Sequence, residues 1–337
     1  MKHLLTILIA LLTCATSFAQ SVIVKGTDAG SVVATGAGSV RGVAVIPAQT
    51  DFYVSLNGSH TSPYDTWVKA ATNIQDAVDV ASASDTVIVS NGTYLLSAEI
   101  AVTSAITIKS KDNDSATVIV DGQSTVRCFN MSSTNAWLKG ITVTHGHRAF
   151  GQGNGGGMLS GSALNCIFIL NSAVAEGLGG GVDGSVLYYC NVISNSAGQA
   201  GGGARDSTLY NCILSGNASD DAASEAMGCT LYNCTVKDGS VWACTLWNCI
   251  LWDVGTAEVD NNVYYSCANI ITPIGAGSIT NNPVFVGGGD YRLQSNSPCI
   301  DTGTNQAWMT GAKDLDGNQR IWNTTVDMGA YEYGSEP

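Results

Sequence analysis

A chain of 337 residues has the length of one large solenoid or of two ordinary domains; its charged content of only 12% and its 39 glycines suit a solenoid faced with Ser, Thr, Asn and Gly. The net charge of −13 excludes nucleic acid and anionic membrane surfaces as partners. It also repels acidic polysaccharides unless calcium bridges them.

Residues 1–19 have the pattern of a signal peptide: Lys2 and His3, an apolar run from Leu4 to Leu12, and the small-x-small site Ser17-Phe18-Ala19. The mature chain is expected to begin at Gln20 and to act in the periplasm, at the cell surface or outside the cell. Lipoprotein processing at Cys14 is the rival reading, which Thr13 fits poorly. No later stretch is long and apolar enough to span a membrane. Residues 20–50 read as a Val-, Gly- and Ala-rich lead-in, with a boundary at Pro47 to Thr50.

The domain expected over 51–337 opens with a helix at about 67–83. Ile74, Ala77, Val78 and Ala81 fall on one face, and Thr72 or Asn73 can cap its start. We read it as a plug over the open end of a solenoid, where strand edges and apolar side chains would otherwise be bare. Asp85 to Val89 reads as the first strand. Ile106–Lys109, Val118–Val120 and Leu138–Val143 follow.

Coils are expected over about 85–282. The glycine triplets 155–157, 179–181 and 201–203 recur, and cysteines follow at 166, 190, 212, 234, 249 and 267. Three of these cysteines close the phrases T-L-Y-N-C, T-L-Y-N-C and T-L-W-N-C, and asparagines stand five residues beyond three of them, at 171, 195 and 217. A period near 22 with β-branched and aromatic residues marks a β-solenoid, because each unit must stack on neighbours to bury its apolar face. Leu209 and Cys212 both point inward only if one residue between them is left-handed, and Asn tolerates that conformation best. Asn211 is therefore placed at a bend. Asn165, Asn211, Asn233 and Asn248 are expected to form an internal amide ladder, broken at Tyr189. Tyr210, Tyr232 and Trp247 then point outward as an exposed column, with Tyr188 nearby.

Ten cysteines remain in the mature chain. Recurrence at one place per coil argues for stacked buried thiols. Vertical disulfides, Cys229 to Cys244 and Cys234 to Cys249, are the alternative, since a coil spacing of about 4.8 Å lies within disulfide reach. Metal binding is the weaker reading, because no histidine accompanies the cysteines and no C-x-x-C occurs. Residues 283–334 differ in character and read as the last coil and a C-terminal cap.

D-T-W…A-A-T-N-I-Q-D-A-V followed by D-T-V-I-V-S-N-G-T-Y resembles the entry of pectin-lyase-like β-helix proteins. The G-G-G units with F-I-L-N at 168–171 are similar to repeats of polymorphic outer-membrane proteins. S-P-C-I-D-T-G, D-L-D-G-N-Q-R and V-D-M-G-A-Y-E-Y resemble the ending of choice-of-anchor-type secreted bacterial proteins. The resemblance covers roughly 52 to 334. It implies an all-β fold, a single-stranded right-handed parallel β-helix with an N-terminal capping helix and a C-terminal cap. It says little of activity, since lyases, hydrolases and adhesins share the fold.

Several groups are candidates for chemistry. Asp220-Asp221 is the one adjacent acid pair, suited to glycoside hydrolysis, with a solvated loop as the plainer reading. Arg205 can act as a lyase base only beside calcium-binding acids, and the sequence shows no such cluster. His145 and His147 share a strand face in this reading, with Arg148 beside them. Asp314, Asp316 and Asn318 superficially resemble a calcium loop, but the glycine stands at the fourth place, so a turn held by Asx side chains is the simpler account. No cofactor is implied beyond a structural calcium. The column of Tyr188, Tyr210, Tyr232 and Trp247 suits the apolar faces of sugars or a surface protein. The expected function is an exported, non-catalytic, adhesin-like binder of glycan or protein. A polysaccharide lyase or glycoside hydrolase using Asp220, Asp221 and Arg205 is the alternative.

Overall fold

The computed structural model describes residues 21–25, 31–35, 44–46 and 49–335, with the exception of 150–152, 175, 222, 254–259 and 270–274. The proposed signal segment lies outside the described residues. The chain divides after Gln49. Within the first unit, Ser21–Lys25, Ser31–Thr35 and Ala44–Ile46 form a three-stranded antiparallel sheet. The lead-in is thus a small meander.

The second unit is a right-handed parallel β-helix. Each full coil lays one short strand on each of four stacked sheets. In one coil these are Ala204–Arg205 on a seven-stranded face, Thr208–Tyr210 on a ten-stranded face, Ile213–Ser215 on a nine-stranded face and Ala218–Ser219 on a four-stranded face. Every pairing within these faces is parallel and in register, for example Leu187, Leu209, Leu231 and Leu246 on successive coils. The middle residue of each strand on the ten-stranded face points inward and is fully buried. No helix among the described residues is long and apolar enough to cross a membrane.

The corner after the ten-stranded face is left-handed in every repeat coil. Asn165, Asn211, Asn233 and Asn248 have φ between 49° and 54°. Tyr189 and Tyr265 take the same conformation at 54° and 48°, so the corner imposes its geometry even without an amide. Beyond it Cys166, Cys190, Cys212, Cys234 and Cys249 turn inward. The backbone N–H of each donates to the sulfur of the next coil at 3.4–3.5 Å, and Cys249 donates to Ser266 Oγ at 2.9 Å. A second, shorter ladder runs Ser185, Ser207, Cys229 and Cys244. All ten described cysteines are free and buried. Burial pushes the Cys128, Cys166, Cys212 and Cys249 thiols well up.

The amide ladder is not where the spacing placed it. Asn211, Asn233 and Asn248 project outward from the corner and donate to carbonyls of the C-terminal segment: Lys313 at 3.2 Å, Asp327 at 3.1 Å and Thr304 at 2.9 Å. They anchor the cap, and one weak rung remains, Asn248 to Asn233 at 3.3 Å. The internal ladder is Asn171, Asn195 and Asn217. Both the backbone N–H and Nδ2 of each of the first two donate to Oδ1 of the next, at 2.8–3.0 Å. Glu225 ends the series, accepting from Asn217 N–H at 3.0 Å and from its Nδ2.

This ladder explains the glycine triplets. The first glycine of each has φ near 70°. A Cβ on the second would strike the carbonyl of the four-stranded face, Ser196 for Gly180 and Ala218 for Gly202. A Cβ on the third would strike the neighbouring coil and the amide of the rung itself, as at Gly203, 2.8 Å from Asn217 Nδ2.

The helix spans Ile74–Val80, shorter than the expected 67–83. Trp67 packs at a tilt against Tyr53 and Ala71 bridges Val54, which holds 67–72 in turns. Asn73 is the cap, its side chain accepting from Asp76 N–H at 2.9 Å. The helix packs on Asp51–Val54, Thr86–Val89 and Ile100–Ala101. Gln75 completes the end seal: its amide bonds both backbone groups of Ala101, on the edge strand of the seven-stranded face. Asp51–Val54, not Asp85–Val89, is the first rung of the ten-stranded face.

Candidate functional site

The C-terminal segment folds back over the left-handed corner. Fully buried Arg320 donates through Nη2 to the carbonyls of Asp327 and Gly329 at 2.8 and 2.9 Å and lies 3.6 Å from Glu332. Asp327 accepts from Asp301 and Tyr333 N–H, and Glu332 from Trp322 and Asp327 N–H. Burial raises Asp327 to about 6 and Glu332 to about 8. Ligand atoms of Asp301, Asp327 and Glu332 lie within 4.8 Å of one another. The oxygens of Asp327 and Glu332 face N–H groups and Arg320, so the cluster latches the cap.

The proposed calcium loop is part of the same latch. Asp314 Oδ1 accepts from Asp316 and Asn318 N–H at 2.9 and 2.8 Å, an Asx turn, and Oδ2 accepts from Glu332 N–H at 3.0 Å. Both oxygens of Asp316 are held by the Arg292 guanidinium at 2.6 Å, and Arg292 lies over the Tyr331 ring. That bidentate pair raises Arg292. The carboxylate oxygens of Asp314 and Asp316 are thus each held by N–H donors within the cap.

Between this loop and the coils lies a cleft of about 700 Å3. The turn Asn113, Asp114 and Ser115 forms one wall, Lys313 to Gly317 and Tyr331 the other, and Asn165, Tyr189 and Asn191 the floor. Asn191 stands in register between Ile167 and Ile213, the only amide of the three. Its Oδ1 is buried with no hydrogen-bond partner among the described residues. A buried acceptor without a donor is costly, and a small rotation of the side chain into the cleft would let a hydroxyl or amine satisfy it.

The aromatic column exists, but it is not exposed. Tyr188, Tyr210 and Tyr232 stack with centroids 4.8 and 4.9 Å apart and planes within 8°. Trp247 stacks on Tyr264 at 4.5 Å. Trp308, from the 3-10 turn Ala307–Met309 of the cap, packs edge-on against Tyr210 at 5.1 Å and Tyr232 at 6.2 Å. All four candidate rings are half-buried. The uncovered end, Trp137 stacked on Tyr188 at 5.8 Å, adjoins the cleft through Leu164 and Tyr189.

Acids and arginines that sequence spacing kept apart meet at the seven-stranded face. Asp183 and Arg205 are paired in register, 3.4 Å apart, and Arg205 also reaches Asp206 at 2.8 Å. Burial raises Asp183 and Arg205 opposes that rise. Glu99 receives Arg127 at 3.2 Å and Arg148 at 3.6 Å. Arg127, only 3% exposed, also donates to the carbonyls of Gly155 and Asn154. The expectation of an isolated Arg205 is thereby corrected.

No family model and no curated protein sequence matches this chain. Solved structures of similar shape include pectate lyase Pel9A, at 14% identity with 85% of this chain and 97% of that chain covered and a TM-score of 0.45. A pectin methylesterase in complex with hexasaccharide VII follows at 12% identity, 66% and 80% coverage and a TM-score of 0.38. A mannuronic acid specific polysaccharide family 6 lyase from human gut microbiota is at 10% identity, 56% and 60% coverage and a TM-score of 0.30. The stacked, all-parallel sheets of the chain itself make it a parallel β-helix.

The β-helix does not bring the remaining candidates together. Asp220 and Asp221 are exposed at the end of the four-stranded face, each backbone N–H bonded to the preceding coil. Arg205 pairs with Asp183 and Asp206 instead of with them. His145 occupies a left-handed corner, φ 47°, with Nδ1 3.3 Å from Asp121, whereas His147 begins the next strand with Nδ1 2.9 Å from Ser172 Oγ. The two imidazoles therefore do not share a strand face. The cleft residues were missed because they come from three distant stretches. The one local signal was Tyr189 standing where the repeat carries Asn.

Proposed function

We propose that this β-helix binds a polysaccharide in the cleft beneath its C-terminal cap, after export directed by residues 1–19. The buried, unpartnered Oδ1 of Asn191 on the floor carries the reading. Around it stand the amides of Asn113 and Asn165, the ammonium of Lys313, the carboxylate of Asp114 and the rings of Tyr189 and Tyr331. Sugars match this mixture, with hydroxyls that both donate and accept and ring faces that stack on aromatics. The volume lies within the roughly 300–1,000 Å3 of small-ligand clefts, room for a short segment of polymer. Tyr188 and Trp137 extend the platform at one end. An adhesin-like role for Tyr210 and Tyr232 is disfavoured, because Trp308 covers them.

Asn191→Ile tests this directly. Ile already occupies the position on both adjacent coils, so the fold should tolerate it. Loss of one hydrogen bond is expected to weaken glycan binding by about 3- to 10-fold. Unchanged affinity in titration calorimetry would refute the assignment.

Cleavage of the bound polymer, as a lyase or glycosidase, is the second reading. Two clusters of acid and arginine, Asp183 with Arg205 and Glu99 with Arg127 and Arg148, favour it. Incubation with pectins, alginates and other glycans, with and without calcium, is the test. Arg205→Ala should abolish any release of unsaturated or reducing ends.

A further inference from the structure

The charges around the cleft restrict what class of glycan it can take. Asp114, Asp314 and Asp316 line it against Lys313, with Asp316 paired to Arg292. Arg292 adds little positive field, since it is shared between Asp316 and Asp290. Asp114 is exposed on the wall, with Oδ1 accepting from Ala116 N–H at 2.9 Å. The whole chain adds a net charge of −13. A ligand carboxylate seated here would lie closer to these acids than the Debye length of about 8 Å at physiological salt, so counter-ions would not shield it.

The groups that remain all suit uncharged hydroxyls. Asn191 Oδ1 and Asp114 accept, Asn113, Asn165 and Lys313 donate, and Tyr189 and Tyr331 offer ring faces. Resting on the polysaccharide reading above, we infer that the cleft selects a neutral glycan and rejects polyuronates, in contrast to what a basic or calcium-lined groove would do. The repulsion is a specificity device: it acts against the wrong polymer without adding a contact to the right one.

The test uses the full chain against neutral polymers (xylan, mannan, β-glucan) and polyuronates (polygalacturonate, alginate). Each is measured at low and high salt and with and without calcium. A neutral polymer should bind with affinity that salt changes by less than about twofold. Its binding should fall in Asn191→Ile. Polyuronates should bind about tenfold or more weakly at low salt and recover as salt rises. Asp114→Asn keeps the acceptor for Ala116 and removes the charge. It should raise the affinity for polyuronate several-fold relative to that for the neutral polymer. Polyuronate bound as tightly as neutral polymer, with or without calcium, and weakened by Asn191→Ile, overturns the inference and leaves the cleft as a glycan site. Failure to bind any polymer overturns the glycan reading and this inference with it.

Discussion

The long coils between Gly155 and Asp221 and the short coils that follow solve the same stacking problem with different parts. From Cys190 to Cys212 and on to Cys234 each coil takes 22 residues; from Cys234 to Cys249 it takes 15. The ten- and nine-stranded faces continue unchanged through both, with their buried Leu and Cys columns. What disappears is the four-stranded face, which ends at Ala218–Ser219, and with it the Asn rung. Glu225 stands at the place of the third glycine and sends its own carboxyl into the vacated column. Gly239 then passes so close that a Cβ would lie 2.5 Å from Glu225 Cγ. The sulfur-lined corner is therefore the constant of the fold. The amide-lined side is an option that needs glycine where it is present and a buried acid where it stops.

The sharpest way to break this comparison is to add a methyl group on each side of it. Gly180→Ala would drive Cβ into the backbone carbonyls of Ser196 and Gly202, neither of which can yield, and is expected to cost about 3 kcal/mol in chemical denaturation. Gly239→Ala meets the side chains of Ser224 and Glu225, which can move, and should cost about 1 kcal/mol. Equal losses would mean that the two kinds of coil are packed alike.

Removing a rung comes next. Asn195→Ala leaves the N–H of Asn171 without an acceptor and removes one of two acceptors from its Nδ2 and one of two donors from Asn217 Oδ1, with an expected loss of about 2 kcal/mol. Asn211→Ala, which frees only a carbonyl of the cap, should lose about 1 kcal/mol.

Glu225 sharpens the comparison through pH. Burial raises it from the ordinary 4.5 to about 8. Between those values the folded chain keeps a proton that the unfolded chain has released, so stability falls as pH rises through the window and levels off above it. Glu332 and Asp327, raised to about 8 and about 6, act in the same direction from the cap. Glu225→Gln should flatten the thermal-denaturation profile by on the order of 2 kcal/mol over this range. A profile identical to that of the parent would mean that the acid is already ionised in its column.

The smallest effect is expected from the constant corner. Cys234→Ser keeps a group able to accept from Cys212 N–H, as Ser266 already does for Cys249. The loss should be about 1 kcal/mol, from burying a hydroxyl where a thiol packed. The ten thiols of the unreduced native protein should also resist alkylation until it is unfolded.

The period, the parallel stacking, the left-handed Asn and the inward Cys were legible in the sequence, because each is a local demand repeated coil after coil. Alternation along a strand, one αL residue and one buried side chain recur at fixed spacing, and repetition makes them visible. Which asparagines stack inside was decided only in three dimensions. Asn211 and Asn195 both recur with the coil, yet one faces the cap and the other faces the third glycine of a triplet. The cover over Tyr210, the pairing of Asp183 with Arg205 and the cleft around Asn191 were likewise settled by tertiary structure. Each joins residues separated by tens of positions to more than a hundred. The charge pair happens once in the stack, the cap contacts follow from how the C-terminal segment folds back, and neither leaves a periodic trace in the chain.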